Sequence, residues 1–364
     1  MVDQRHGTSA SFSIGRLSLA LETVRTSAVT RRGGRACKAG ALHERERHLP
    51  ITDIPVIRGV GTGTWPLGHK ASIYGQRVTL GSVRVDGRDV AYAEWGDPQG
   101  FPVVVMHGTP GSRLGRWSDP VALAQTGVRQ IGINRPGYGP STRFEGRTVG
   151  SVVPDVLAVA DALHIDRFAV SGTSGGGPHA LAVPALAPEC VVRCRVTSSL
   201  APAGIPGFFE GMDAHNVEEW ELVLDGVALT EVTRRVEVMR ARVMTDPSSI
   251  FADIALPPSD KAAMSEQQAF AVRRESIAEA LTTPFGWYDD DCAFAQPWGF
   301  DVADVRVPVE LRYGQHDVFI QAHGAWLARA LPHAEVTHWK NHGHLGDSTV
   351  LADLRALAAS GRQT

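Results

Sequence analysis

The stretch that decides the fold is "FAVSGTSGGGPHALA", residues 168–182. It opens as a buried strand, closes as an Ala/Leu helix, and packs four glycines around Thr173 and Ser174 between the two. The core is Gly172-Thr173-Ser174-Gly175-Gly176, a G-x-S-x-G. In so sharp a strand-to-helix turn the serine must take strained backbone angles, and side chains two residues before or after it would collide. The strain lifts the serine oxygen clear of the sheet at its carboxyl edge. The Gly175 N–H then opens the new helix, where developing negative charge is favoured.

The surrounding text is of the same kind. "RVTLGSVRVDGRDVAYAEWGDP" reads as two alternating strands about a "VDGRD" turn. "FPVVVM" (101–106) is a continuous buried strand, and "VRQIGIN" is another, ending near Asn134. An amphipathic helix follows at 151–164, then the elbow strand (167–172) and its helix (175–187). Apolar strands alternating with helices predict an α/β fold with a mainly parallel sheet covered on both faces.

The alternation stops at 204–300, where only helical patterns are found. It resumes with a strand and loop at 307–317, a last strand in "AEVTHWKNHGH" and a closing helix, "DSTVLADLRALAAS". The order predicts a core at 76–203 and 301–364, with a helical cap inserted at 204–300. The insertion holds 11 of the 25 aromatic residues and 4 of the 6 methionines, enough to pack its helices together and to line part of a cleft. It is acidic, 17 Asp+Glu against 7 Lys+Arg, which disfavours strongly anionic substrates. "FGWYDDDCAF" within it reads as a mobile or solvated acidic turn, lacking the companions of a calcium loop.

Residues 1–75 are basic, 11 Lys+Arg against 5 Asp+Glu, rich in Ser, Thr and Gly, and without sustained period. They read as a disordered extension, or as the result of a start assigned too far upstream. Glu22, Glu44 and Glu46 argue against a transit peptide. The net charge of −3 gives no support to nucleic-acid binding. No apolar run reaches the roughly 18 residues of a membrane span. Four cysteines without a CxxC pair argue against a disulfide framework or zinc site, read as packing or surface residues, and suggest a reducing, cytoplasmic setting.

A serine hydroxyl needs a base, and the base an orienting carboxylate. "NHGHLGD" offers His342 and His344 after the last strand, and "YGQHDVF" offers Asp317 after the strand before it. The chain order Ser174, Asp317, His344 is the one expected for an elbow serine, and both partners stand at carboxyl ends of strands. His344 is preferred because Gly343 frees the backbone to turn the ring inward. Asp301 and Asp304 are poorer carboxylates because they precede their strand. "HGTPGSR" (107–113) follows another strand, so the backbone N–H groups of Thr109 and Gly175 make a two-donor oxyanion hole.

Taken in order, "HGTPGSR", "NRPGYGPS", "GTSGGGPHALA", "YGQHD" and "NHGHLG" resemble the α/β-hydrolase superfamily, with the closest likeness to bacterial serine hydrolases bearing an HGxPGS turn and an SGGGP elbow. The resemblance implies an eight-stranded sheet with one antiparallel strand near its start, and a helical cap between strands six and seven. It departs at Asn134, where such proteins usually carry aspartate. Asparagine keeps the turn's side-chain bond but not the charge. A serine at the elbow argues against epoxide hydrolases and haloalkane dehalogenases, and the "HGTPG" turn is less glycine-rich than is usual in proline iminopeptidases. The expectation is a serine esterase for a small or medium apolar acyl substrate, without metal or organic cofactor. The alternatives left open are a C–C hydrolase, lactonase or acyltransferase with the same three residues, and a non-catalytic ligand-binding protein.

Overall fold

A computed structural model describes residues 69–73, 76–115, 120–226, 229–265, 267–346 and 355–359. Among the described residues nine strands form a single sheet: β1 (His69–Ile73), β2 (Gln76–Val85), β3 (Arg88–Gly96), β4 (Phe101–Met106), β5 (Val128–Ile133), β6 (Phe168–Thr173), β7 (Val191–Thr197), β8 (Val309–Gly314) and β9 (Ala334–Trp339). Their spatial order is β1-β2-β3-β5-β4-β6-β7-β8-β9. From β5 to β9 every pairing is parallel, and β3 runs antiparallel to both β2 and β5. The fold is therefore the expected α/β one, with the eight expected strands in β2–β9.

β1 is a correction. Residues 69–73 fall within the extension expected to be disordered, yet they pair antiparallel with β2, from His69 opposite Leu80 to Ile73 opposite Gln76. The edge of β2 presents unpaired backbone groups that a neighbouring segment can satisfy, a signal carried by the sheet and not by the segment's own composition. The rest of the predicted extension lies outside the described residues, as does most of the predicted closing helix.

Helices α1 (Pro120–Ala124), α2 (Val153–Ala162), α3 (Gly176–Leu186) and α9 (Gln321–Ala330) accompany the strands. One apolar cluster joins β4, β5, β6 and β7 to α2, α3 and α9 through Ile131, Val156, Phe168, Leu181 and Leu327. The opposite face gathers Trp95, Val103, Leu123 and Val128 with Leu357 and Ala358. Burial on both faces is why these strands read as continuous apolar runs. Leu181 is fully buried. Leu181→Ala is expected to destabilise the protein by about 2–5 kcal/mol, measured by urea unfolding.

Between β7 and β8 the described chain is helical: α4 (Ala214–Leu224), α5 (Leu229–Thr245), α6 (Pro258–Ser265), α7 (Gln267–Ala280) and α8 (Phe285–Ala295). These helices share a core of their own, with Val232, Val236, Ile250, Met264 and Leu281 packed beside Trp287 and Tyr288. α8 overturns one expectation. "FGWYDDDCAF" is neither mobile nor solvated. It is a helix in which Asp289, Asp290 and Asp291 are all buried. Successive helical residues point about 100° apart, so three adjacent aspartates face three different partners.

Among the described residues Cys194, buried, and Cys292 are free thiols. No helix among the described residues is long and apolar enough to cross a membrane.

Candidate active site

The elbow forms as its glycines require. Ser174 has φ +55°, the left-handed region that a side chain rarely adopts. A Cβ on Gly172 would fall 2.2 Å from the Gly176 carbonyl oxygen, and one on Gly176 would fall 2.2 Å from that of Met106. The turn is thus pressed between its own helix and the end of β4. Ser174 N–H donates to Thr197 O at the end of β7 (3.0 Å), which fixes the bend against the neighbouring strand.

Asp317 and His344 meet. His344 Nδ1 lies 2.8 Å from Asp317 Oδ2, and both side chains are buried. The other oxygen, Oδ1, accepts the backbone N–H groups of Phe319 (2.9 Å) and Ile320 (3.2 Å). The carboxylate is therefore held from both sides. Burial alone would raise its pKa, but the imidazole and these hydrogen bonds outweigh burial and hold it below the ordinary carboxylate value. Burial likewise pulls the His344 imidazole down, and the Asp317 charge and hydrogen bond, with Asp260 behind them, lift it above the usual histidine value.

The sequence reading missed Asp260. Fully buried on α6, it accepts His344 N–H (2.8 Å) on one oxygen and Leu345 N–H (3.1 Å) on the other. Gly343 is needed for this approach, since a Cβ there would fall 2.4 Å from Asp260 Oδ2. The inserted helices thus shape the histidine loop directly. An aspartate 84 residues upstream of it, in a helical segment, gives no local sign of that role.

The other candidates separate cleanly. The His342 ring packs against Trp339, and Asp301 and Asp304 are exposed at a short 3-10 helix. Ser174 and His344 are linked through β7: Thr197 O receives Ser174 N–H, and the next residue, Ser198, donates its hydroxyl to His344 O (2.8 Å). Among the described residues the His344 ring is hydrogen-bonded to Asp317 and not to Ser174 Oγ.

The loop after β4 lies against the elbow. A Cβ on Gly175 would fall 2.3 Å from Thr109 Oγ1, and one on Gly108 would fall 3.6 Å from Ser174 Cβ. Asn134 Oδ1 accepts Arg113 N–H at 2.6 Å, a bond to the loop after β4 and not the local turn bond expected of it.

A family profile described as the alpha/beta hydrolase fold matches residues 102–346. The protein belongs to the α/β-hydrolase fold family. It is 25% identical over 287 residues to a proline iminopeptidase of Xanthomonas citri, covering 72% of this chain and 90% of that one. It is 32% identical over 84 residues to 3-oxoadipate enol-lactonase 1 of Acinetobacter baylyi, covering 23% of this chain and 32% of that one. Among solved structures, the esterase RhEst1 of Rhodococcus superposes with a TM-score of 0.57 at 19% identity, over 78% of this chain and 99% of that one, a likeness of fold. The chain is thus an α/β hydrolase whose relatives are named for different activities.

Two cavities adjoin these loops. The larger, about 570 Å³, touches Asp317 and His316 but neither Ser174, Thr109 nor Gly175. The smaller, about 320 Å³, runs from Thr109 and Pro110 into the inserted helices, past Leu222, Val236, Met239 and Trp287. Its walls are not purely apolar: Glu219 and Arg235 also line it. Glu219 accepts the Trp287 indole N–H (2.7 Å), and burial, together with the neighbouring Glu219, drives the Asp291 carboxyl well above the usual range.

Proposed function

We propose that the protein is a serine hydrolase that cleaves a carboxylic ester, or a related acyl bond, of a small to medium substrate. Ser174 Oγ attacks the acyl carbonyl while His344 Nε2 takes its proton. Asp317 holds the imidazole in the Nδ1–H tautomer and stabilises its charged form. The amides of Thr109 and Gly175 receive the oxyanion. The tetrahedral intermediate collapses, the leaving alcohol departs with the proton from His344, and water repeats the sequence on the acyl-enzyme. The observation that carries this reading is the buried His344–Asp317 hydrogen bond, on a loop tied through Ser198 to the strand end beside a strained elbow serine.

The smaller cavity supports the choice of substrate size. It reaches the Thr109 loop, and about 320 Å³ is at the low end of small-molecule sites. A second reading, an aminopeptidase acting on N-terminal proline, is favoured by the similarity to the Xanthomonas citri enzyme. A panel of p-nitrophenyl esters of increasing acyl length, set beside proline p-nitroanilide, separates the two. The expected result is turnover of short and medium esters; turnover of the anilide alone would transfer the reading to the peptidase.

The raised His344 pKa fixes the sign of the pH profile. A base must be neutral to accept a proton, and the pKa of this one lies above the ordinary 6.5. The acid limb of kcat/KM should therefore have its midpoint above 6.5, checked with a substrate whose leaving group does not titrate in that range.

A further inference from the structure

We infer that Asp290, on helix α8, is a positioning residue for the oxyanion hole, holding the Gly108–Thr109 peptide and the Gly175 turn in register. The inference rests on the serine-hydrolase reading above and concerns a residue outside its catalytic set.

Asp290 is completely buried and its carboxylate is saturated. Oδ2 accepts the Thr109 hydroxyl at 2.6 Å, the Tyr138 hydroxyl at 2.8 Å and Arg135 Nη2 at 2.5 Å. Oδ1 accepts Arg135 Nε at 3.0 Å and Arg147 Nη2 at 2.5 Å. Arg135, equally buried, carries the restraint onward. Its guanidinium donates to His107 O, to Gly108 O at 3.2 Å and to Thr109 Oγ1 at 3.1 Å. Gly108 C=O and Thr109 N–H are two ends of one peptide unit, so fixing the carbonyl fixes the direction of the amide. His107 adds a second donor to the same carbonyl, from Nδ1 at 2.8 Å.

The turn that carries the other donor is reached through His179, at the carbonyl of the peptide unit that follows it. His179 Nδ1 donates to Gly175 O (2.9 Å), and its Nε2 then accepts Arg147 Nη1 (3.4 Å), whose Nη2 is on Asp290. Burial pulls the His179 pKa down to about 3, so the ring is neutral and this tautomer satisfies both contacts. His107 is neutral for the same reason. The Thr109 amide and the turn that carries Gly175 are thus moored to one carboxylate more than a hundred residues away in the chain. Asp290 accepts no hydrogen bond from Ser174, His344 or Asp317, so its effect on rate would pass through the loops alone.

Two variants test this. Thr109→Val keeps the side-chain volume and removes only the hydroxyl that Asp290 and Arg135 hold. Its kcat is expected to fall about tenfold, the size of one hydrogen bond, with KM within threefold and the thermal midpoint little changed. Affinity for a phenylboronic acid, whose Ser174 adduct places an oxygen in the hole, should weaken by the same factor, and Thr109→Ser should recover both. Asp290→Asn is expected to lower kcat and boronate affinity together by about a hundredfold. If it fails to fold, Thr109→Val decides. Wild-type kcat and boronate affinity in Thr109→Val, or in a folded Asp290→Asn, would overturn the positioning role while leaving the serine reading intact. Absence of boronate binding and of ester turnover in the unmodified protein would instead overturn the serine reading on which the role rests.

Discussion

Ser174→Ala should lower ester turnover by about 10⁴-fold or more without changing the stability of the protein. The size follows from the division of labour: without the nucleophile only the oxyanion donors and substrate binding remain, and these leave a small residual rate over water. The constancy of stability follows from the local geometry. Ser174 sits at φ +55° whatever its side chain, and alanine inherits the same strain. The hydrogen bonds that fix the bend are made by backbone groups, Ser174 N–H to Thr197 O and Gly177 N–H to Ser174 O, and these survive the substitution. Steady-state kinetics and thermal unfolding on the same preparation check both halves. Turnover at the wild-type rate would remove Ser174 from the reaction.

The second large effect is expected at Asp317, and the structure dictates its mechanism. In Asp317→Asn the amide cannot choose its orientation. The oxygen is pinned at the Oδ1 position, because two backbone N–H groups point there. The NH₂ must then face His344 Nδ1, where the carboxylate oxygen now lies. A ring nitrogen facing an N–H donor has to be the acceptor, so the proton moves to Nε2 and the imidazole can no longer take one from the serine. A loss of about 10⁴-fold in kcat is expected, as for a tautomer forced the wrong way in other triads. The acid limb of the pH profile should also move down, since the charge that lifts the His344 pKa has gone. A variant within tenfold of the unmodified kcat would show that Asp317 does not set the tautomer.

Much of this site could be read before any coordinates, because its signals are local. Gly172, Ser174 and Gly176 announce an elbow through sterics that act over five residues. β4 occupies 101–106 as expected, and β6 and α3 agree with expectation to within a residue at each end, because continuous apolar runs bounded by glycine have few alternatives. Asp317 and His344 follow from their places after consecutive strands.

The illegible part was long-range charge pairing. Arg135, Arg143 and Arg147 lie in "NRPGYGPSTRFEGR", and their partners Asp289 and Asp290 lie over 140 residues on, inside an acidic run that by composition looked solvated. Three adjacent acids in the insertion and three arginines within one loop motif were the available hint. Buried charge is tolerated only when paired, and pairing across that separation leaves no periodic trace. Asp260 escaped for the same reason, since its partners are backbone amides that any sequence carries. β1 escaped because the sheet edge, not its own residues, recruits it.

The central claim is that Ser174 is an activated nucleophile, and active-site labelling tests it most directly. The protein is treated with a fluorophosphonate probe, digested, and the modified peptide mapped by mass spectrometry. Rapid, stoichiometric modification of Ser174, slowed by orders of magnitude in His344→Ala, is the expected result. An unlabelled Ser174, or a rate indifferent to His344, would contradict it.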